Sequence, residues 1–332
     1  AHCKYYYQKI MNKTVIIGSG FSSAVLTKVL DQNSNLLIYD KSRGPGGRSS
    51  TRRVENIGLF DHGLQYISPT IKEFDFFLNQ NLKSSIKEWS GNFHIFEDNK
   101  TIDSKKYIGK LGNNSFVKDL LSTKVEYLKE LVGLERRNNK WTLQFKDKDT
   151  QDCERLILTI PLEQCQKITN SLNLNLNFEG SMEPNLTAMI AFNKPLKIPF
   201  NGIKFQKNPI LGWAGNESSK LRIGNNKNLE LWTLQSSLDF AKKYCHIYRD
   251  KKEEVLELMI QEFLNLFEIK NVEISHKDIH GWLYAFKIKD FFNKFYWNKD
   301  INLGICGDWM CGPKAEDAWS SATLLANQIN NS

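Results

Sequence analysis

The hydrophobic positions near the start of the chain form two short continuous runs with a helical pattern between them. Thr14 to Gly18 is a β-branched apolar run, and Leu36 to Tyr39 is a second run that ends on Asp40. From Phe21 onward, the intervening apolar residues recur at helical spacing. Short continuous runs are typical of strands buried on both faces, as in a parallel sheet. The pattern therefore predicts a strand, a glycine loop, a helix and a second parallel strand.

Later segments continue to mix the two periods. Lys72 to Leu82 and Glu253 to Phe267 have the apolar spacing of amphipathic helices, and Leu156 to Pro161 reads as another buried strand. Leu186 to Leu234 is mostly of β pattern. The chain closes with a buried strand, a Gly-Asp turn and a helix that starts near Glu316. We expect an α/β protein with a Rossmann-like, mostly parallel sheet and a second, mostly antiparallel sheet with helices.

Composition places the 332-residue chain among globular proteins, with 41% hydrophobic and 25% charged residues. The net charge of +8 favours anionic partners, such as a dinucleotide, a nucleic acid or a membrane surface. The lysines are spread along the whole chain, without the basic stripe and aromatic residues of a nucleic-acid site. No apolar run approaches the roughly 20 residues of a membrane span. We therefore expect neither a nucleic-acid partner nor a membrane partner.

The cysteines and the N-terminal residues give indications of the cellular compartment of the protein. The six cysteines have neither CxxC nor zinc-ligand spacing, so we expect no metal site and a reducing, cytoplasmic location. The start AHCKYYYQKI lacks the apolar region of a secretory signal. Met11 directly precedes the first strand. We expect Met11 to be the natural start and residues 1–10 to be an extension.

The glycine loop carries the first candidate chemistry. Gly18 and Gly20 permit a tight turn and the close approach of a phosphate, but Ser23 stands where a dinucleotide fingerprint has a third glycine. That glycine mainly serves helix packing, so serine costs little. Asp40, about 20 residues after the loop, suits a ribose hydroxyl pair. The helix that begins near Phe21 directs its N–H groups at the pyrophosphate. The order predicts that this loop holds a nucleotide cofactor.

Two further segments are positioned to contact the same cofactor. KSRGPGGRSSTRR, residues 41–53, is a basic glycine-rich loop directly after Asp40, which suits a second anionic stretch of the ligand. FDHGLQY follows and places Asp61, His62 and Gln65 together. Near the C-terminus, Asp308 lies between a buried strand and a helix, where a carboxylate can accept hydrogen bonds from a polyol.

Taken in order, these motifs resemble one known family. The segments GPGGR, STRR, DHGxQY, YIGxxG, LTIP, HGWxYA and GDWxxGPxxEDAW follow the glycine loop as they do in renalase and its bacterial relatives. Those proteins are flavoproteins of the monoamine oxidase superfamily. The resemblance runs from about Met11 to Ile329, is most specific in GPGGR…DHGxQY and GDW…AW, and is looser in the middle.

The resemblance implies a two-domain FAD fold. The FAD-binding domain would comprise residues 11–66, 108–167 and 280–330, and the substrate domain residues 67–107 and 168–279. The implied cofactor residues are Gly18, Gly20, Ser22, Asp40, Lys41, Gly47, Arg48, His62, Gly63, Gln65, Val132, Asp308, Ala318 and Trp319. The chain departs from its relatives at Ser23, Leu64, Asp317 and Ser321, which bears on fine flavin geometry. Because no cysteine occupies the position of a covalent anchor, we expect non-covalent FAD.

The resemblance also implies a reaction. Renalase-like enzymes oxidise dihydro isomers of NAD(P) by hydride transfer to flavin N5, and O2 then reoxidises the flavin and yields H2O2. We expect His62, Gln65 and Trp282 to be pocket residues. Trp213, Trp232 and Tyr284 are either substrate-side or core aromatics, and single aromatics favour the core. Two alternatives stay open: an FAD-dependent amine oxidase with an aromatic cage, and a catalytically inactive flavin- or nucleotide-binding protein.

Overall fold

The structure is a computed structural model that describes residues 13–31, 35–172, 174, 176, 178–288 and 293–332. The expectations about Met11 and residues 1–10 lie outside the described residues. The helices are α1 (Phe21–Val29), α2 (Lys72–Leu82), α3 (Asn113–Leu120), α4 (Leu162–Thr169), α5 (Leu238–Tyr244), α6 (Lys252–Leu266) and α7 (Ala315–Asn330).

The strands fall between these helices in both halves of the chain. They are β1 (Lys13–Ile17), β2 (Asn35–Tyr39), β3 (Thr51–Val54), β4 (Gly58–Asp61), β5 (Ile86–Glu88), β6 (Phe93–Ile95), β7 (Lys100–Thr101), β8 (Tyr107–Gly109), β9 (Val125–Glu126), β10 (Leu131–Arg137), β11 (Lys140–Phe145), β12 (Thr150–Cys153), β13 (Arg155–Leu158), β14 (Glu183–Phe192), β15 (Gly202–Lys204), β16 (Leu211–Asn216), β17 (Glu230–Ser236), β18 (Ile274–Phe286), β19 (Tyr296–Asn298) and β20 (Leu303–Ile305).

A six-stranded sheet forms the first layer, in the order β19-β20-β13-β1-β2-β9. Its strands run parallel except for the edge strand β19, which is antiparallel to β20. Ile16 of β1 faces a core shared with α1, α3 and α7. Val15 faces the opposite core, which the antiparallel β10-β11-β12 sheet covers. Both faces are buried, which explains the continuous apolar runs and confirms the predicted parallel sheet.

A seven-stranded sheet forms the second part, in the order β18-β14-β17-β16-β15-β6-β7. Its pairs are antiparallel except β15 with β6. One face packs on α5 and α6, where Trp232 contacts Phe263 at a centroid distance of 5.0 Å. The other face carries polar residues, including the buried Thr187 and Thr233. The predicted second, mostly antiparallel sheet is confirmed.

Within the part of the chain that the structure describes, no helix combines the length and the apolarity that a membrane crossing requires. The described cysteines, Cys153, Cys165, Cys245, Cys306 and Cys311, are free thiols.

Candidate functional site

The glycine loop joins β1 to α1 at the carboxyl edge of the parallel sheet. Gly18 has φ +106°, and a Cβ there would lie 2.6 Å from Thr159 Oγ1, so only glycine fits. Gly20 differs, because a Cβ on it would meet no atom of the described residues within 4 Å. The glycine-rich loop of residues 41–53, which we call the second glycine loop, lies close to Gly20. A Cβ on its Gly47 would lie 3.5 Å from Gly20 Cα. The two glycine loops therefore face each other across the start of α1.

Ser23 gives the third fingerprint position a hydrogen-bonding role. The side chain is fully buried, and its hydroxyl donates to Gly18 O at 2.5 Å and lies 2.7 Å from Thr159 Oγ1. Thr159 Oγ1 in turn donates to Ile17 O at 2.9 Å. Serine thus links α1 to β1 and to the end of β13, where glycine would only allow close packing.

Asp40 sits at the end of β2 and accepts hydrogen bonds from the glycine loop. Its Oδ2 accepts from the backbone N–H of Ser19 at 2.6 Å and from the Ser19 hydroxyl at 2.7 Å. Its Oδ1 accepts from the N–H of Ser42 at 2.7 Å. A carboxylate has about four acceptor positions, so Asp40 keeps capacity for one more donor.

Arg48 and Asp308 form a bidentate ion pair between the second glycine loop and the C-terminal segment. Arg48 Nη1 donates to Asp308 Oδ2 at 2.8 Å and to Ala285 O at 2.9 Å, and Nη2 donates to Asp308 Oδ1. The carbonyl of Arg48 accepts from Leu64 N at 2.8 Å. A Cβ on Gly63 would lie 2.0 Å from that carbonyl, so the close contact between the loop after β4 and the second glycine loop requires glycine.

His62 lies in an aromatic group between the loop after β4 and strand β18. Its ring stacks on Trp282 at 5.3 Å and meets the edge of His280 at 4.9 Å. Trp282 Nε1 donates to the carbonyl of His62 at 2.8 Å. Burial, with His280 and Arg52 adding, lowers the pKa of His62 to about 3. Burial and Arg52 likewise lower the pKa of His280 to about 4, so both rings are neutral at pH 7.

A fully buried cluster of four charges lies behind this loop. Lys220 Nζ pairs with Asp61 Oδ2 at 2.8 Å and with Glu217 Oε2 at 2.9 Å. Arg222 pairs with the same two carboxylates at 2.7 and 3.4 Å. Burial opposes ionisation of Asp61, but Arg222 and Lys220 outweigh it and hold the pKa of Asp61 below its usual value. We call these four residues the ion cluster.

Neutral groups satisfy the remaining acceptors and donors of the ion cluster. The two carboxylates accept hydrogen bonds from Thr51, Asn113, Thr233 and Gln65. Arg222 donates a further hydrogen bond to Gly109 O. Gln65 is therefore buried in the cluster, where its amide also accepts from Trp213 Nε1 at 3.3 Å. Gln235 completes the support, because its Nε2 donates to Gly63 O at 2.6 Å.

The structure brings most of the expected site residues into one connected region. The Ser22 hydroxyl donates to Ala318 O at 3.4 Å, which joins α1 to α7. Trp319 packs on Phe74, and its buried indole Nε1 has no hydrogen-bond partner among the residues that the structure describes. Lys41, which directly follows Asp40, is exposed, and Val132 is exposed on β10.

The three aromatic residues of open assignment have different surroundings. Trp232 belongs to the core between the second sheet and α6. Trp213 is on the opposite face of that sheet, beside Tyr66 and Trp89. Tyr284 packs at the edge of the core below the parallel sheet.

Two of the departures from the family pattern have local roles. The buried Ser321 hydroxyl accepts from Gly307 N at 3.1 Å and donates to Lys294 O at 2.6 Å. Asp317 Oδ2 accepts from Lys314 N at 2.8 Å, which caps the start of α7. Both residues therefore order the segment that carries Asp308 and Ala318.

Sequence reasoning missed several residues that shape this region. Glu217, Lys220 and Arg222 carry no recognisable motif, and Arg52 was one of four arginines in a loop. The only available signal was the alternation of charged and apolar residues in KLRI, 220–223, which is also the pattern of an ordinary exposed strand.

Comparisons with known proteins agree with this architecture. Residues 16–78 match the model of the NAD(P)-binding Rossmann-like domain family. A protein described as a protoporphyrinogen oxidase, from Exiguobacterium sp. 255-15, is 10% identical with a TM-score of 0.75, over 96% of this chain and 99% of its own. A reduced UDP-galactopyranose mutase is 10% identical with a TM-score of 0.72, over 96% of each chain. A putrescine oxidase is 8% identical with a TM-score of 0.65, over 97% and 99%.

These matches show the fold. Identities of 8 to 10% carry no statement about substrate or reaction. The matched segment 16–78 contains the glycine loop, Asp40, the second glycine loop and His62.

We predict that Lys220→Met destabilises the protein strongly. The substitution leaves the buried Asp61 and Glu217 with one cation, and an uncompensated buried charge costs about 3–5 kcal/mol. Urea unfolding measures the change in unfolding free energy. Lys146→Met is the control, because Lys146 pairs with Glu130 at 3.0 Å on the surface, with 72% of its side chain exposed. That control should lose less than about 1 kcal/mol. Similar small losses in both variants would contradict the role of the ion cluster.

We predict that His62 makes the protein less stable as the pH falls. An unfolded histidine titrates near 6.5, whereas burial lowers the pKa of His62 to about 3. Between these values the unfolded chain binds more protons, so the unfolding free energy decreases as the pH is lowered through this window. His62→Phe keeps a ring against Trp282 and removes the proton site. Urea unfolding between about pH 7 and about pH 4 should show a shallower decline in His62→Phe. The same replacement at exposed His246 controls for the exchange. Parallel profiles of parent and His62→Phe would refute the prediction.

Proposed function

We propose that the protein is a flavoprotein that binds FAD non-covalently at the two facing glycine loops. Gly18, Gly20, Ser22 and Gly47 would hold the pyrophosphate with the N-terminal N–H groups of α1. Asp40 would bind the adenosine ribose, Val132 would contact the adenine through its backbone, and Lys41 would line the phosphate and flavin side. Arg48, Asp308, Ala318 and Trp319 would border the ribityl chain and flavin, with His62 and Gly63 beside the ring.

Features of the chain fit such a ligand. A Cβ on Gly20 or on Gly44 would have no atom within 4 Å in the part of the chain that the structure describes, so both backbones are accessible to a phosphate there. Asp40 retains acceptor capacity, and within the described part of the chain nothing accepts a hydrogen bond from the buried indole N–H of Trp319. The resemblance to renalase relatives and the names of the structural neighbours, two of them oxidases, support the same assignment.

We propose that the reaction is oxidation of a reduced nicotinamide dinucleotide, with O2 as the final acceptor and H2O2 as product. When bound, FAD would provide the hydride acceptor, and the chain would orient the flavin and nicotinamide rings and exclude water. His62 and Trp282 would form the pocket wall. Gln65 would act indirectly, by fixing the loop through Glu217 at 3.0 Å.

The observation that carries the dinucleotide assignment is the charge next to the aromatic group. Arg52 is exposed and lies opposite Phe60 in the β3–β4 pair, and the Phe60 ring lies 5.9 Å from the ring of His276. The positive charge of Arg52 also contributes to lowering the pKa of His62, His276 and His280. The nearby carboxylates are already paired, Asp61 in the ion cluster and Asp278 with Lys252 at 2.5 Å. An anionic dinucleotide suits such a surface, since its phosphates complement an exposed guanidinium that has no carboxylate partner among the described residues.

An amine oxidase remains the second candidate. The near-parallel rings of His62 and Trp282, with 25° between their planes, are one wall of an aromatic cage. A cationic amine would gain nothing from Arg52, which favours the dinucleotide. A flavin-binding protein without turnover is the third candidate.

We also propose that residues 11–66, 108–167 and 280–330 form the FAD-binding domain and that residues 67–107 and 168–279 form the substrate domain.

The test is a visible spectrum of purified protein before and after anaerobic addition of partly isomerised NADH. We expect flavin bands that bleach rapidly and that return with H2O2 when air is admitted. Flavin bands that bleach only with amines would favour the amine oxidase. Flavin bands that no donor bleaches would favour the protein without turnover, and absent flavin bands would refute the cofactor assignment.

We predict that Gly20→Val removes FAD without unfolding the protein. The Cβ of a side chain at Gly20 would meet none of the described residues within 4 Å, but the side chain would occupy the place of the pyrophosphate. The purified variant should melt like the apoprotein and lack flavin absorbance. Gly18→Ala is the contrasting variant, because φ +106° and the 2.6 Å contact with Thr159 strain the fold itself, by about 1–3 kcal/mol. A Gly20→Val protein with full flavin occupancy would contradict the site.

We predict that Arg52→Ala raises the KM for the reduced dinucleotide roughly tenfold and leaves kcat nearly unchanged, because it removes binding that substrate and transition state share. Arg53→Ala is the matched control. Arg53 is its exposed neighbour on β3, and its guanidinium donates to Leu111 O at 2.7 Å instead. Steady-state kinetics of both variants measures the difference. Equal effects at the two arginines would argue against a substrate contact at Arg52.

A further inference from the structure

The segment Lys220–Ile223 has an inverted pattern of burial. Lys220 and Arg222 are almost completely buried in the ion cluster. Leu221 and Ile223, between and after them, are 80% and 96% exposed, the two highest values among the large apolar residues that the structure describes. Leu221 also has a left-handed backbone with φ +48°. The two cations turn inward, and the two apolar side chains consequently project into solvent.

A third exposed apolar residue lies beside them. Leu111 is 63% exposed in the loop after β8. Arg222 Nε donates to Gly109 O at 3.1 Å, which connects this loop to the inverted segment. We call Leu111, Leu221 and Ile223 the apolar tip. The tip rests on the ion cluster, so its side chains are held outward by buried contacts of their neighbours.

Cations border the apolar tip. Lys87 Nζ donates to Leu221 O at 3.0 Å, and Arg53 donates to Leu111 O at 2.7 Å. Lys110, adjacent to Leu111, is exposed and donates to Ser84 O at 2.7 Å. Burial lowers the pKa of Lys87, and the charged groups that add to this shift are Arg222 and Lys110, both cations. Three cations, Lys87, Lys110 and Arg53, therefore border the tip.

We propose that the apolar tip and its bordering cations dock on the surface of an anionic lipid bilayer. Projecting leucine and isoleucine side chains enter the boundary between headgroups and acyl chains, while lysine and arginine contact anionic headgroups. A second copy of this chain fits less well, because two like-charged borders would repel each other. Three separate projecting side chains also fall short of the roughly 800 Å² per partner of a stable protein interface.

The sequence led us to expect no membrane partner, because no apolar run is long enough to span a bilayer, but this docking mode does not require a span. Neither half of the tip is an apolar run: Leu111 stands between Lys110 and Gly112, and Leu221 between Lys220 and Arg222. The contact is peripheral and partly electrostatic, so its strength should fall as salt is added. It is independent of the cofactor and of the substrate proposed above.

The test is co-sedimentation of the full chain with vesicles of phosphatidylcholine, with and without about 30% phosphatidylserine. We expect binding to the anionic vesicles only, weakened at about 0.5 M salt. The double variant Leu221→Asn, Ile223→Asn should lower the partition coefficient roughly tenfold or more, since two large apolar side chains no longer enter the lipid. Lys110→Gln should weaken binding about fivefold.

Leu128→Asn is the matched control for Leu221→Asn. Leu128 is 68% exposed and has φ +60°, so residue type, exposure and backbone agree with Leu221 at another place on the surface. Binding of the Leu128→Asn variant to anionic vesicles should stay within about twofold of that of the parent protein. Absence of vesicle binding would overturn the proposal. Full binding by the double variant would also overturn it, and so would a dimer in sedimentation velocity that the double variant abolishes.

Discussion

The arrangement of this protein depends on the ion cluster of Asp61, Glu217, Lys220 and Arg222. Its two carboxylates and two cations are almost completely buried, which is costly unless every charge is paired and every remaining polar group is satisfied. The members come from the end of β4 and from the connection between β16 and β17, so this requirement fixes the hairpin β3–β4 against the second sheet. Small displacements would unpair a charge, and the relative position is therefore well determined.

The consequence for the site is a rigid loop after β4. Gln65 holds the loop from the side of the ion cluster, and Gln235 and Trp282 hold it from the second sheet through Gly63 O and His62 O. The Arg48 carbonyl joins the same loop to the second glycine loop. Hydride chemistry asks a protein mainly for orientation and exclusion of water. A loop fixed from three sides, with neutral histidine rings, suits that demand.

The same cluster also shapes the surface. Because Lys220 and Arg222 are drawn inward, the residues between and after them project outward, and the pattern of KLRI is the reverse of the usual one. The proposed site and the proposed docking surface thus share one buried anchor. A structural element that positions a loop for chemistry also keeps an apolar tip from folding back onto the protein.

Sequence alone determined the local elements and the glycine loop. The apolar periods predicted the parallel strands, the helix Lys72–Leu82 and the long helix at Lys252–Leu266, because burial of one face or of both leaves a repeating signal along the chain. Only the tertiary structure decided the pairing of Arg48 with Asp308, 260 residues apart, the turn of Gln65 toward Glu217, and the inward direction of Lys220 and Arg222. These depend on partners that are remote in the chain. A charged side chain carries no local mark of whether it will find a buried counter-charge or water.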